Sequence, residues 1–227
     1  MSATSKPSPQ PAFPPSALPE VLPIFPLAGV LLLPRGRLPL NIFEPRYLAM
    51  IEDALAHQRL VGMVQPTISE AQEPFPPVYH IGCAGRITSF TETEDGRFLI
   101  GLTGVCRFAI VEELPIERGY RRVKPDWESF LADITETDEA EIDRDKLIGV
   151  LRGYFKLHGI AADWNAVQNT NNETLVSSLA MICPLAPNEK QALLEAPDLR
   201  ARAELLMTLL EMASMPQAAE VEGGARH

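Results

Sequence analysis

The spacing of the apolar residues changes once along this 227-residue chain, and that change constrains the fold more than any other feature. From about Leu22 to about Trp127 the apolar residues come in short runs broken by Pro and Gly, the texture of strands and turns. Beyond Asp145 they recur at three- and four-residue intervals, the texture of helices buried by one face. Strands first and helices after make an α+β chain. The expected divisions are a disordered, Pro-rich tail over 1–18 and a β subdomain over 19–130. An acidic linker over 131–144, a helical bundle over 145–215 and a flexible tail over 216–227 follow.

Within the β half, Val30 to Leu33 and Leu38 to Phe43 are apolar runs separated by the turn Pro34-Arg35-Gly36. Their prolines make them edge strands or irregular extended chain. Pro45 suits a first helical position, where a missing N–H costs nothing. Tyr47, Ile51, Ala54 and Leu55 then share one face with Met50 beside them, and Glu52 and Asp53 face water. Leu60 to Val64 reads as a strand. Ile81 to Thr91 and Arg97 to Leu102 flank Glu94-Asp95-Gly96, whose Asp-Gly pair supplies a tight hairpin turn. Phe98, Ile100 and Leu102 alternate to one side, Arg97 and Leu99 to the other. Val105 to Val111 continues the sheet and Tyr120 to Lys124 adds a strand. Five or more short strands with one embedded helix suggest a small, partly closed barrel.

In the second half, Leu147, Leu151, Tyr154, Phe155 and His158 form a stripe ended by Gly159. A single turn or short helix is expected around Trp164. Leu175, Leu179 and Ile182 form another stripe, stopped by Pro184. Asn188 to Ala196 gives a short helix, and Asp198 caps a last one lined by Leu199, Ala203, Leu206 and Leu210.

Catalytic constellations are missing from the sequence. It contains no G-x-x-x-x-G-K-[ST] phosphate loop, no H-E-x-x-H and no G-x-S-x-G. The histidines at 57, 80, 158 and 227 have no ligand spacing, and His158 fits a packed position better than a base. Cys83, Cys106 and Cys183 form no C-x-x-C pair and read as small buried hydrophobes in a reducing compartment. Cys106 beside Arg107 raises the alternative of a lowered thiol pKa. The acidic run from Asp133 to Asp145 reads as a solvated face. Gly82-x-x-Gly85 and Gly101-x-x-Gly104 mark bends or bulges rather than phosphate cradles. A formal charge of −10 opposes broad nucleic-acid binding. The Pro-interrupted start lacks a signal peptide's apolar stretch, and no run reaches the roughly 18 apolar residues of a membrane helix. A cytoplasmic protein with no metal, no cofactor and no membrane contact is expected.

Three regions carry a family resemblance. Leu22-Pro-Ile-Phe-Pro-Leu-Ala-Gly-Val-Leu-Leu-Leu-Pro34, followed by Arg37-Leu-Pro-Leu-Asn-Ile-Phe-Glu-Pro-Arg-Tyr47, resembles the opening signature of the Lon protease N-terminal, substrate-binding domain. Ile81-Gly-Cys-Ala-Gly-Arg-Ile87 and Gly101-x-x-Gly104-x-x-Arg107-Phe108 resemble that family's central hairpin. Glu189-Lys190-Gln191-x-x-Leu194-Glu195 and Asp198-x-x-x-Arg202, with Leu205-Leu206, resemble the domain's end. The likeness runs from about Leu22 to Met212.

The resemblance implies a PUA-like, barrel-type β subdomain with one embedded helix, followed by a helical bundle, the two together selecting unfolded or tagged polypeptides. The Lon ATPase and Ser–Lys peptidase segments have no counterpart in the sequence, so an adaptor or holdase-like role without catalysis is expected. Full-length Lon is a candidate partner. Arg35, Arg37, Glu44 and Arg46 are the candidate protein-binding residues, although Glu44 and Arg46 at a helix start suit structural pairing as well. Phe43, Tyr47 and Leu40 are expected in the core. PUA-like folds elsewhere bind RNA, so Arg118, Tyr120, Arg121, Arg122 and Lys124 form the alternative nucleic-acid patch. A charged strand edge guarding against aggregation explains the same cluster.

Overall fold

A computed structural model describes residues 13–67, 75–134 and 141–215. Six strands form one sheet: β1 (Leu22–Pro26), β2 (Arg37–Ile42), β3 (Leu60–Val64), β4 (Ile81–Glu92), β5 (Phe98–Glu117) and β6 (Tyr120–Asp126). Their order is β2-β5-β4-β3-β1-β6, with β6 also paired to β5. Among the described strands, only β1 and β3 run parallel to each other. The length of β5 explains the double pairing: its first half lies against β4 and its second half against β6. Register shifts between Ala84 and Gly85, and between Ile87 and Ser89, bend the long hairpin. Val105 to Val111 is therefore the middle of one continuous strand.

The hairpin turn forms where Asp-Gly stands, with Gly96 at φ +77°. Phe98, Ile100 and Leu102 are buried, while Leu99 on the other face is 45% exposed. Helix α1 (Pro45–Ala56) begins at its proline and buries Tyr47, Met50, Ile51 and Ala54.

Of the two readings for Val30 to Leu33, irregular chain holds, and two other expectations for the β half are corrected. Leu31, Leu32 and Leu33 form no strand, yet all are at most 2% exposed. They fill the core from irregular chain, which needs apolar side chains but no ladder. Phe43 is 62% exposed rather than buried, because it falls between the end of β2 and the start of α1. Residues 13–18, placed in the disordered tail, include a 3-10 turn at Pro15–Ala17. Phe13 packs on a small core cluster, and Trp127 Nε1 donates to Pro19 O at 3.0 Å. The remainder of that tail, the tail from 216 and the acidic residues Glu136, Asp138 and Glu139 lie outside the described residues.

The second half holds α2 (Arg144–Leu157), α3 (Trp164–Asn169), α4 (Asn172–Ile182), α5 (Pro187–Glu195) and α6 (Leu199–Ala213). Asp143, Asp163, Asn171 and Asp198 each accept a backbone N–H at a helix start. Leu147, Leu151, Tyr154 and Phe155 of α2 are buried, as are Leu175 and Leu179 of α4. Two stripe residues depart from expectation. Ile182 is 69% exposed at the last position of α4. His158 is exposed just past α2, its ring 4.3 Å from that of Tyr154.

One hydrophobic core joins Phe25, Leu32, Met50 and Leu102 of the β half to Leu151, Leu179, Leu194 and Leu206 of the helices. A second, smaller cluster of Leu22, Ile24, Phe108 and Val123 lies on the sheet, with Phe13 and Trp127 packed against it. The chain is thus α+β, and both halves contribute to the larger core.

Candidate functional site

The four candidate protein-binding residues are separated by β2. Arg35 precedes the strand with φ +63°. Its N–H donates to Gly104 O at 2.8 Å, and Gly104 N–H donates to Gly36 O at 2.9 Å, so Arg35 and Gly36 together oppose Gly104. This is a bulge of the kind that needs a left-handed first residue. An Arg in that conformation costs about 1–2 kcal/mol relative to Gly. Its side chain offsets the strain by bridging the two halves: Nε donates to Glu173 Oε1 at 2.7 Å and Nη1 to Asp133 O at 2.8 Å. Arg37 is exposed at the start of β2. Glu44 and Arg46 lie beyond its other end and pair with each other at 2.9 Å. The Arg46 guanidinium also sits 4.6 Å above the Tyr47 ring.

The basic segment is neutralised in place. Arg118 meets Glu52 at 2.7 Å and also pairs with Asp53. Arg121 is buried, paired with Glu113 and donating to Pro76 O at 2.7 Å. Arg122 pairs with Glu117, and Lys124 meets Glu112 at 3.0 Å. Tyr120 is buried with its hydroxyl on Asp53 Oδ2 at 2.9 Å. Its ring is not available for stacking, and the carboxylates cancel the charge a phosphate backbone would need.

Sequence spacing missed a third group, the buried polar residues that join sheet to helices. Arg107 on β5 is 5% exposed. Its Nε and Nη2 each donate to Asp133 at 2.9 Å, while Nη1 donates to Leu194 O at 3.1 Å and Ala196 O at 2.6 Å. Asp133 was expected on a solvated acidic face; a buried guanidinium holds it instead. Gln65, just after β3, accepts from Gly29 N–H at 3.2 Å and donates to Pro187 O at 3.0 Å. Gln191 donates to Ile81 O at 3.1 Å, and Lys190 Nζ donates to Gly29 O at 2.9 Å. Arg202 Nε caps Leu193 O at 2.9 Å, and burial pulls its pKa down to about 10. A lone charged residue inside an apolar run, such as Arg107 in Val105-Cys-Arg-Phe, was the available signal. Several residues that carry the family resemblance thus serve to hold the halves together.

All three cysteines are buried and unpaired. Burial pushes the Cys106 thiol up to about 12 and the Cys183 thiol up to about 11, and that of Cys83 well above its ordinary value. For Cys106 the neighbouring Asp133 also raises the pKa, and together with burial it outweighs Arg107. The alternative of an activated thiolate at this position is therefore overturned. Among the described residues no group of three or more His, Cys, Asp or Glu is placed to hold a metal ion. None of the described helices is long and apolar enough to cross a membrane.

Comparison with known proteins converges on one family. The model of the ATP-dependent protease La (LON) substrate-binding domain matches residues 21–212. Lon protease 2 of Myxococcus xanthus is 29% identical over 199 residues, covering 85% of this chain and 24% of the relative. Lon protease of Anaeromyxobacter dehalogenans is 27% identical over 196 residues, covering 85% of this chain and 23% of the relative. The chain therefore spans about a quarter of the length of these relatives. The crystal structure of a Lon N-terminal domain protein from Xanthomonas campestris superposes with a TM-score of 0.59 at 22% identity, covering 86% of this chain and 99% of that one. The N-terminal domain of Mycobacterium avium complex Lon protease gives a TM-score of 0.52 at 17% identity, covering 84% and 98%. These likenesses establish the fold. The chain belongs to the Lon substrate-binding domain family.

Proposed function

We propose that this chain is a non-catalytic polypeptide-recognition module, acting as an adaptor or holdase-like element of protein quality control. One observation carries the proposal: a family model named for substrate binding covers residues 21–212, nearly all of the described chain. The apolar side chains left outside the core support it. Phe43 is 62% exposed, Leu99 45% and Phe90 41%, and all three lie on or next to the β2-β5-β4 end of the sheet. The β part is read as a partly closed barrel, since its pairings run in a cycle through β5, β4, β3, β1 and β6. The helices are read as a bundle braced against it. Three free buried thiols suit a cytoplasmic location.

Full-length Lon, with unfolded or tagged polypeptides, is the partner class this role entails. Linked recognition domains gain about 10²–10⁴ in avidity, so one copy alone binds weakly. Titrating fluorescein-labelled, reduced and carboxymethylated α-lactalbumin gives saturable anisotropy with a Kd in the micromolar range. A flat titration to high micromolar protein defeats the proposal.

A further inference from the structure

We propose that the outer edge of β2 is the site where an extended polypeptide segment docks, adding a strand to the sheet. This rests on the polypeptide-recognition reading above and gives it a location and a chemistry. Among the described strands β2 pairs with β5 alone. Which of its backbone groups face outward follows from the bulge at its start. Arg35 and Gly36 exchange hydrogen bonds with Gly104. In an antiparallel ladder, bonded and non-bonded pairs alternate from such a point. Arg37 opposite Thr103 is then a non-bonded pair, Leu38 opposite Leu102 a bonded one, and the alternation continues to Ile42 opposite Phe98. Arg37, Pro39 and Asn41 therefore turn their backbone groups away from β5.

The position of Pro39 agrees with this phase. Its nitrogen carries no hydrogen, and it sits where β5 asks for none. The outer edge thus offers the N–H and C=O of Arg37, the C=O of Pro39, and the N–H and C=O of Asn41. No other described residue bonds to these groups. A row of donors and acceptors at strand spacing is complementary to extended backbone.

The side chains specify the occupant further. Leu38, Leu40 and Ile42 point to the core side of the sheet, and Leu38 and Leu40 are only partly buried. Residues of an added strand that lie opposite them share that side, so apolar residues there extend the core. Arg37 lies on the other side, exposed and without an ion pair among the described residues. An acidic residue facing it forms a cross-strand pair. The occupant is an extended segment of another protein, with apolar residues at alternate positions and a carboxylate at the Arg37 end.

Pro39 disfavours a second copy of this chain as the occupant. Two β2 strands related by a two-fold axis, with Arg37 opposite Asn41, would set Pro39 against Pro39. The centre of that ladder would hold no hydrogen bond.

The test removes a donor that β5 does not use. Asn41→Pro deletes the outward N–H, whereas Asn41→Ala changes the side chain and keeps it. The probe is a fluorescein-labelled ten-residue peptide of alternating Val and Thr carrying one Asp, titrated beside the carboxymethylated α-lactalbumin. Wild type and Asn41→Ala bind both equally, and Asn41→Pro weakens both by about tenfold or more. In the wild type, saturation with peptide slows amide exchange at Arg37 and Asn41, a readout that stands even where Asn41→Pro fails to fold. Undiminished binding by a folded Asn41→Pro, or unchanged exchange at both amides, overturns the edge site and leaves polypeptide recognition in place. Absence of binding by the wild type overturns both. A dimer of free protein in sedimentation, dissolved by Asn41→Pro, assigns the edge to self-association and overturns the proposal.

Discussion

The guanidinium of Arg107 and the carboxylate of Asp133 meet side by side, Nε on Oδ2 and Nη2 on Oδ1, both at 2.9 Å. The Arg107 backbone N–H also donates to Oδ2 at 3.0 Å, and the remaining Nη1 protons reach carbonyls at the end of α5. The side chains of both residues are nearly buried, at 6% and 11% exposed. One pair therefore fixes strand, acidic segment and helix end at a single point.

Removing one partner of a buried pair leaves the other charge without compensation, at a cost of about 3–5 kcal/mol. Asp133→Ala and Arg107→Met each lose stability of that order in urea unfolding at pH 7. The double variant loses less than the sum, because neither charge is then left alone. Additive losses would show that the two residues act independently.

Gly104 and Gly96 make a contrast in what a methyl group costs. A Cβ at Gly104 would stand 2.0 Å from Leu33 O, while one at Gly96 would meet nothing within 4 Å. Gly104→Ala must push apart the bulge that positions β2, and costs about 3 kcal/mol or more. Gly96→Ala pays only for its left-handed φ, about 1–2 kcal/mol. Thermal unfolding of the two variants ranks them, and equal shifts would contradict the packing at Gly104.

Local signals were legible in the sequence and long-range ones were not. Asp95-Gly96 announced the hairpin, Pro45 the start of α1, and Asp198 the cap of α6, because each acts through its own backbone. Phe43 looked like core by residue type, but whether it is buried depends on where β2 meets α1. Asp133 read as solvated because its partner is Arg107, on another element. Arg35 and Arg37 stood in one turn with equal claims; the fold commits the first to Glu173 and leaves the second exposed. The docking edge itself required the hydrogen-bond phase of β2, which no residue pattern states.

The basic segment from Arg118 to Lys124 is paired with carboxylates along its length. The protein is therefore expected to leave a labelled single-stranded RNA unshifted in a gel at about 50 mM salt, where phosphate contacts are strongest. A shift that weakens as salt rises, and that Arg122→Glu with Lys124→Glu abolishes, would restore the nucleic-acid role.

The buried thiols set a limit on alkaline stability. In the unfolded chain a thiol ionises near its ordinary value of 9.0, while the folded chain holds the Cys183 proton up to about 11. A raised folded pKa stabilises fully below the unfolded value and is lost as pH climbs through the interval. Between pH 9 and 11 the unfolded state binds fewer protons, so stability falls by about 1.4 kcal/mol per pH unit for each such thiol. Cys183 alone then removes roughly 2–3 kcal/mol across that window, and Cys106, raised to about 12, adds to the slope. Lys190, lowered by burial, opposes them, since its charged form is disfavoured in the fold. The comparison that isolates the thiol is the wild type against Cys183→Ala, unfolded in urea at pH 8, 9, 10 and 11. The variant pays a constant cavity cost below pH 9, and the gap between the two narrows as pH rises. A gap that stays constant to pH 11 would mean that Cys183 titrates alike in both states, and that its burial in the fold is not maintained.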